Sequence, residues 1–238
     1  MRRLVIVLGL LVGLLALADR GMAYVAGNQT ARQVRIHEGL REDPDVTFRG
    51  FPFVTQAVHG RFRTVDVTVR DYERGGITID RIDARLRGVK VNLSKALHGR
   101  VDAVPVDEGT ATLRLSYGDL AQFLAQRPGN IRLTVRGGQV FVTSSYGITG
   151  VGQVDVEGTP TVKVTPTSVQ VIVSNVHVLT GPTALSAAAA ATAGKRSSFT
   201  IPMEGLPFGI AVESATLTGT ALVVKASARG LVIDVRNG

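Results

Sequence analysis

The sequence predicts a mainly β, α+β fold: a long curved antiparallel sheet wrapped around covering helices. Three observations carry this reading. Valine and threonine supply 34 and 22 of the 238 residues, and such β-branched side chains lose rotamer freedom in a helix but pack well on a pleated sheet. Apolar residues alternate with period two over long stretches. Glycine- and proline-marked turns separate those stretches at short intervals. With 45% hydrophobic and only 19% charged residues, a mainly disordered chain is excluded.

The N-terminus decides the compartment. Met1-Arg2-Arg3 is a short cationic segment, and Leu4 to Ala18 is an uncharged apolar run closed by Asp19 and Arg20. Fifteen helical residues rise roughly 22 Å, short of a ~30 Å hydrocarbon core. Ala16-Leu17-Ala18 has the small-x-small form of a cleavage site. Residues 1–20 therefore read as an export signal, either cleaved before Asp19 or kept as an anchor, and residues 21–238 as one β-rich domain. The chain has no cysteine, so an exported body must be held by its core alone.

Along the body, Tyr24 to Leu40 reads as an amphipathic helix ended by Pro44, and Val46 to Gly50 as extended. From Arg61 to Val91 the chain alternates in more than one register. Val65, Val67 and Val69 share a face, Ile77 and Ile79 are odd, and Ile82, Ala84 and Leu86 are even. A change of phase exchanges the faces of a strand, so a bulge or bend is expected near Asp80, with Gly75-Gly76 as the turn before it. A short helical piece around Asn92 to Leu97 follows, then strands near Val104 and from Thr110 to Ser116. Ser116-Tyr117-Gly118-Asp119 has the shape of a capping box, behind which Tyr117, Leu120, Ala121, Phe123 and Leu124 form one helical stripe ended by Pro128-Gly129. The remainder is strand: 131–135, 140–144, 148–156, 162–164, 169–178, 211–217, 221–228 and 231–235, with Gly137-Gly138 as a hairpin turn. The Ala-rich stretch 180–198 reads as a low-complexity loop, with room for a short helix.

Motifs for chemistry are nearly absent. His37, His59, His98 and His177 have no metal-ligand spacing, and neither a Gly-x-Ser-x-Gly elbow nor a phosphate-binding glycine loop occurs. Asp80/Asp83 and Asp107/Glu108 are the nearest carboxylate pairs, but spacing alone does not set two carboxyls ~5 to 9 Å apart across a sugar. No catalytic residue, metal or cofactor is therefore assigned. The formal charge is +8, or +6 without Arg2 and Arg3. For an exported protein the anions to hand are phospholipid head groups and acidic envelope polymers, not nucleic acid. Arg61, Arg63, Arg81, Arg85 and Arg87 cluster in the first long strands, as either a solvated sheet face or a contact surface for an anionic membrane.

One ordered set of residues resembles a known family. Val46-Thr47-Phe48-Arg49-Gly50-Phe51-Pro52-Phe53-Val54-Thr55-Gln56 leads to Gly60 and a valine-alternating strand; Leu86-Arg87-Gly88-Val89 and Leu206-Pro207-Phe208-Gly209 follow. This set is similar to the LmeA-like (lipomannan elongation factor A) proteins of the actinobacterial cell envelope, over about residues 24 to 236. The resemblance implies a secreted or membrane-anchored phospholipid-binding protein with a wrapped sheet like the tubular lipid-binding folds. Its implied ligand is a phospholipid or a lipoglycan precursor, and its implied process mannan or lipomannan elongation without glycosyltransferase chemistry. An acyl-chain site needs apolar area shielded from water and no nucleophile. Phe51, Phe53 and Phe208 are the residues expected at its mouth or wall, with Leu120, Phe123 and Leu124 facing inward. Proline restrains the residue before it to extended conformations, which fixes the directions of Phe51 and Leu206. The rival readings are a scaffold with a solid core and a basic face, and an enzyme on lipid-linked glycans.

Overall fold

The computed structural model describes residues 2–74, 76–92, 103–127, 129–148, 152–180, 187–203 and 210–234. Four helices and eleven strands lie within them: α1 (Arg2–Glu38), β1 (Asp45–Arg49), α2 (Phe53–Val58), β2 (Arg61–Arg74), β3 (Ile77–Lys90), β4 (Ala103–Ser116), α3 (Tyr117–Ala125), β5 (Arg132–Arg136), β6 (Gln139–Ile148), β7 (Gly152–Thr165), β8 (Ser168–Thr180), α4 (Ala187–Ser197), β9 (Phe199–Pro202), β10 (Ala211–Leu217) and β11 (Ala221–Asp234). The mainly β, α+β architecture is arranged as two sheets. One has six strands in the order β1-β2-β3-β4-β11-β10, the other five in the order β5-β6-β7-β8-β9. All pairings are antiparallel.

The sheets meet where the Val212 N–H of β10 donates to Pro166 O (3.0 Å) at the β7–β8 turn. One buried cluster then runs through both, from Val65, Ile82, Leu113 and Val224 to Val142, Val171 and Ile201.

The changes of phase in the first long strands are real, and each is shared by neighbouring strands. Buried positions go from Val69 to Tyr72 on β2 and from Ile79 to Ile82 on β3. The ladder nevertheless stays in register, Arg70 opposite Arg81 and Tyr72 opposite Ile79, around a left-handed Asp71 (φ 50°). A second reversal lies further along. Leu86 and Val89 are buried on β3, Val106 and Ala111 on β4, Ala226 and Leu231 on β11. Here Gly88 and Gly230 both have φ 63°. They flank Asp107, since Glu108 and Val106 pair with Arg229 and Leu231. A residue in the left-handed region rotates the strand about its axis, so the pleat resumes with its faces exchanged. Opposed on neighbouring strands, these residues make a transverse crease that turns the sheet without breaking its pairing. The long strand β11 absorbs what period-two reading divided at Gly230.

Other elements depart from the sequence reading. The helix expected from Tyr24 is the second half of α1, continuous with the apolar run that precedes it. Residues 187–197 of the Ala-rich stretch are helical, and Gly194 of α4 lies so near the Val173 carbonyl that a Cβ would fall 2.7 Å from it. The piece expected at Asn92 to Leu97 lies, after its first residue, outside the described residues.

The outer face is tiled with ion pairs. Asp66 is held between Arg49 (2.8 Å) and Arg85 (2.7 Å), which ties β1, β2 and β3 together. The hydrogen bond from Arg85 holds the Asp66 carboxyl below its ordinary range, more than partial burial raises it. The stability this contributes is present above the ordinary aspartate value of about 3.9 and is lost as pH falls through the lowered folded value. Asp66→Asn should therefore be less stable than the parent at neutral pH, and denaturant midpoints of the two should converge as the medium is acidified.

Gly88 and Gly230 separate backbone strain from collision. Around Gly230 nothing lies within 4 Å of an added Cβ, whereas at Gly88 it would strike the Asp107 carboxylate. Gly230→Ala should cost about 1–2 kcal/mol for the left-handed backbone alone, and Gly88→Ala distinctly more. Adding Asp107→Ala to Gly88→Ala should recover part of that difference in denaturant unfolding.

Candidate functional site

The sequence-predicted lipid residues fall into two groups. Phe51 and Phe53 belong to a corner built from α1, β1, α2 and the start of β2. Leu120, Phe123 and Leu124 belong to α3. Because Phe62 pairs with Val89 on β3, while α3 leaves β4 at Ser116, level with Ile79, the groups stand about ten residues apart along the strands. That is roughly 30 Å at ~3.3 Å per residue. The structure does not bring them together in one cluster; it sets them at opposite ends of one apolar face. Phe208 lies outside the described residues.

At the α3 end Ser116 caps the helix. The Ser116 hydroxyl accepts from the Asp119 N–H at 3.1 Å and donates to the Asp119 carboxylate at 2.5 Å. The Tyr117 hydroxyl donates to Thr218 O and its removal from water raises its pKa. Leu120 and Leu124 are fully buried, and Phe123 is buried with the Arg127 guanidinium 4.8 Å from its ring centre.

At the other end three rings form a cluster. Phe48 of β1, Phe53 of α2 and Phe62 of β2 lie with centroids 4.8 to 5.9 Å apart. Phe53 is buried and the other two are half-buried, whereas Phe51 is 56% exposed. Helix α2 is six residues long, and the Pro52 before it has no side chain to cap it. A short helix with open N–H groups needs an acceptor from elsewhere. The acceptor is Asp19 of α1, whose carboxylate receives the Phe53 and Val54 N–H groups at 2.9 Å each. Asp19 is only 5% exposed. Its neighbour Arg20 donates to Gly50 O at 2.7 Å and lies 5.6 Å from the Phe51 ring centre. Further along, Ala23 and Ala31 are buried, and Gly27 passes so close to the Val46 carbonyl that only glycine fits.

So α1 has two halves. From Asp19 onward it docks along β1; before it, Leu10, Leu11, Val12, Leu14, Leu15 and Leu17 are all more than half exposed. By length and composition the helix can cross a membrane. Asp19 has two roles in the sequence, the end of an apolar run and a remote cap. The first is visible in composition. The second has one faint signal, a proline where a helix needs its cap.

The five arginines also divide. Arg81 pairs with Asp83 (2.8 Å), Arg85 with Asp66 (2.7 Å) and Arg87 with Glu108 (3.3 Å). Hydrogen bonds to those carboxylates raise Arg81 and Arg85 above their usual range and lower Asp83. Among the described residues, Arg61 and Arg63 have no acidic partner, and both are exposed at the end of β2 next to α2.

The carboxylates named for chemistry are held on the outer face. Besides Asp83 and Glu108, Asp107 pairs with Lys90 (2.5 Å) and Asp80 lies 3.9 Å from Arg114. A polar group that sequence reading missed sits in the second sheet, where buried Glu157 meets Arg136 and, at 3.5 Å, His177. Nearby Ser144 and Ser197 share a hydrogen bond of 2.6 Å, which Tyr146 joins at 3.1 Å. Among the described residues no three potential metal ligands converge.

A family model described as LmeA-like phospholipid-binding matches residues 17–227. No curated protein and no solved structure matches the chain. The matched span begins two residues before Asp19, so it takes in the docked half of α1 and leaves most of the apolar run outside.

Loss of a helix cap costs about 0.5–2 kcal/mol. Asp19→Ala should release α2 and speed hydrogen exchange at the Phe53 and Val54 amides, while the β3 and β4 amides keep their protection.

Proposed function

The chain belongs to the LmeA-like phospholipid-binding family, and from that premise we propose an exported envelope protein that holds phospholipid acyl chains along the inner face of its six-stranded sheet. Family membership carries the proposal, and the chemistry of that face agrees with it. Between the two predicted groups the inward side chains are aliphatic: Val65, Val67, Ile82, Ala84, Leu86, Ala111, Leu113, Val224 and Ala226. Its mid-line is small. Ala84, Ala111 and Ala226 are directly paired across β3, β4 and β11, a line of small side chains between larger residues on either side.

A bilayer's hydrocarbon core is about 30 Å thick, so one leaflet's acyl chain reaches about 15 Å, within the roughly 30 Å between the aromatic cluster and α3. Burying a 16-carbon chain at ~0.8 kcal/mol per CH₂ gains roughly 12 kcal/mol before the ordering costs of chain and protein. Such a protein needs no nucleophile, metal or cofactor. Its part in the envelope is to present or shelter a phospholipid or lipoglycan precursor during mannan or lipomannan assembly. The apolar half of α1 accounts for export, and an anionic membrane surface is the natural partner of a basic body.

Purified without added lipid and extracted for mass spectrometry, the chain should release phospholipid in near-stoichiometric amount. Ala111→Phe, which fills the mid-line, should lower that yield several-fold while circular dichroism keeps its β-sheet signature. A folded, lipid-free parent protein would refute the reading and leave the solid scaffold in its place.

A further inference from the structure

We propose that the corner of α1 and α2 is a membrane-docking surface, at which Phe51, Val54 and Val58 enter the interface of an anionic phospholipid bilayer beside the point where α1 leaves it. The inference rests on the lipid-binding reading and adds how the protein meets its lipid source.

The geometry begins with α2 itself. Phe53 turns inward to the aromatic cluster, while Val54 and Val58, one helical turn apart, face outward with Phe51 just before them. These three are 38%, 65% and, for Phe51, 56% exposed. An apolar tip of this kind on a rigid corner is what a lipid interface takes up.

Its position relative to α1 is fixed, not free. The two bonds from α2 to Asp19 and the bond from Arg20 to Gly50 hold the tip level with the first charged residues after the apolar run. When the run 4–18 occupies hydrocarbon, Asp19 and Arg20 stand at its boundary, and Phe51, 5.6 Å from the Arg20 guanidinium, stands there with them. Exposed Tyr24 follows at about 5 residues, or roughly 7 Å along the helix, in the zone where tyrosine is enriched.

Charge selects the kind of membrane. Arg61 and Arg63 are the two members of the basic set without an acidic partner among the described residues, and they begin the strand that follows α2. Arg81, Arg85 and Arg87, further along the sheet, are already paired. Uncompensated cations thus lie beside the apolar tip, as an anionic headgroup layer requires.

The chain contains no tryptophan, so single-tryptophan variants report on one place each. Full-length Phe51→Trp and Val58→Trp would be reconstituted in vesicles of phosphatidylglycerol and phosphatidylcholine carrying brominated acyl chains. Thr220→Trp, in the exposed β10–β11 turn level with the start of α3, serves as the comparison. Docking is supported when emission at positions 51 and 58 shifts to the blue and is strongly quenched while position 220 is unaffected. It is also supported when Arg61→Glu with Arg63→Glu weakens quenching in phosphatidylglycerol vesicles and leaves it unchanged in phosphatidylcholine alone. Emission at 51 and 58 that matches position 220 overturns it. Phospholipid recovered by mass spectrometry from a protein with unquenched tips would leave lipid binding standing and remove the docking surface alone.

Discussion

An antiparallel ladder must keep its hydrogen bonds while the surface it presents changes direction, and the larger sheet is shaped by how it meets that demand. Fourteen-residue strands such as β2, β3 and β4 would otherwise extend as a twisted ribbon with one apolar and one polar side. Two transverse reversals prevent this. At each, residues on neighbouring strands leave the ladder together, through the left-handed Asp71 or through Gly88 and Gly230, and pairing resumes in the same register. A bulge on one strand would have shifted the register instead. The paired reversal lets one sheet keep turning its aliphatic side toward a single interior.

The interior is closed at its two ends by different means. At α3 a local serine cap and a stripe of apolar residues do the work within one short segment. At the α2 end the helix is too short to cap itself and borrows a carboxylate from 34 residues earlier in the chain. Burying that carboxylate is tolerable because two backbone N–H groups meet it. The consequence reaches beyond stability, since the same bond couples the tip of the corner to the one helix long and apolar enough for a bilayer.

What could be read from the sequence was what local periodicity encodes. The mainly β class, the turn at 137–138 and the helix beginning at Tyr117 follow from alternation and capping chemistry. The phase change near Asp80 was legible because Ile79 and Ile82 have opposite parity and both want burial. The reversal at Gly88 was equally written in Leu86 and Val89, yet a single change of parity is easily lost beside an arginine-rich run. Long-range matters were not legible. Nothing local to residues 1–20 says that Asp19 caps a helix at Phe53, and nothing in the spacing of Phe53 and Phe123 tells that some 30 Å of sheet separates them. Five alanines in a row suggest helix as readily as loop; it is contact of Gly194 with β8 that decides.

The distribution of charge follows from the same architecture. A sheet that buries one face exposes alternate residues on the other, and on β2 and β3 those are arginines and aspartates. Directly opposed or diagonal neighbours of opposite sign then pair, as Asp66 does with Arg85, so most of the outer face is neutral in patches despite the excess of cations. A surplus residue can remain uncompensated only where the opposed strand offers no acid. Arg61 faces Lys90, and Arg63 lies level with Gly88. Neither position offers an acid, so Arg61 and Arg63, at the end of the sheet nearest α2, have no acidic partner among the described residues. Strand register thus leaves these two cations beside the exposed apolar residues of the corner.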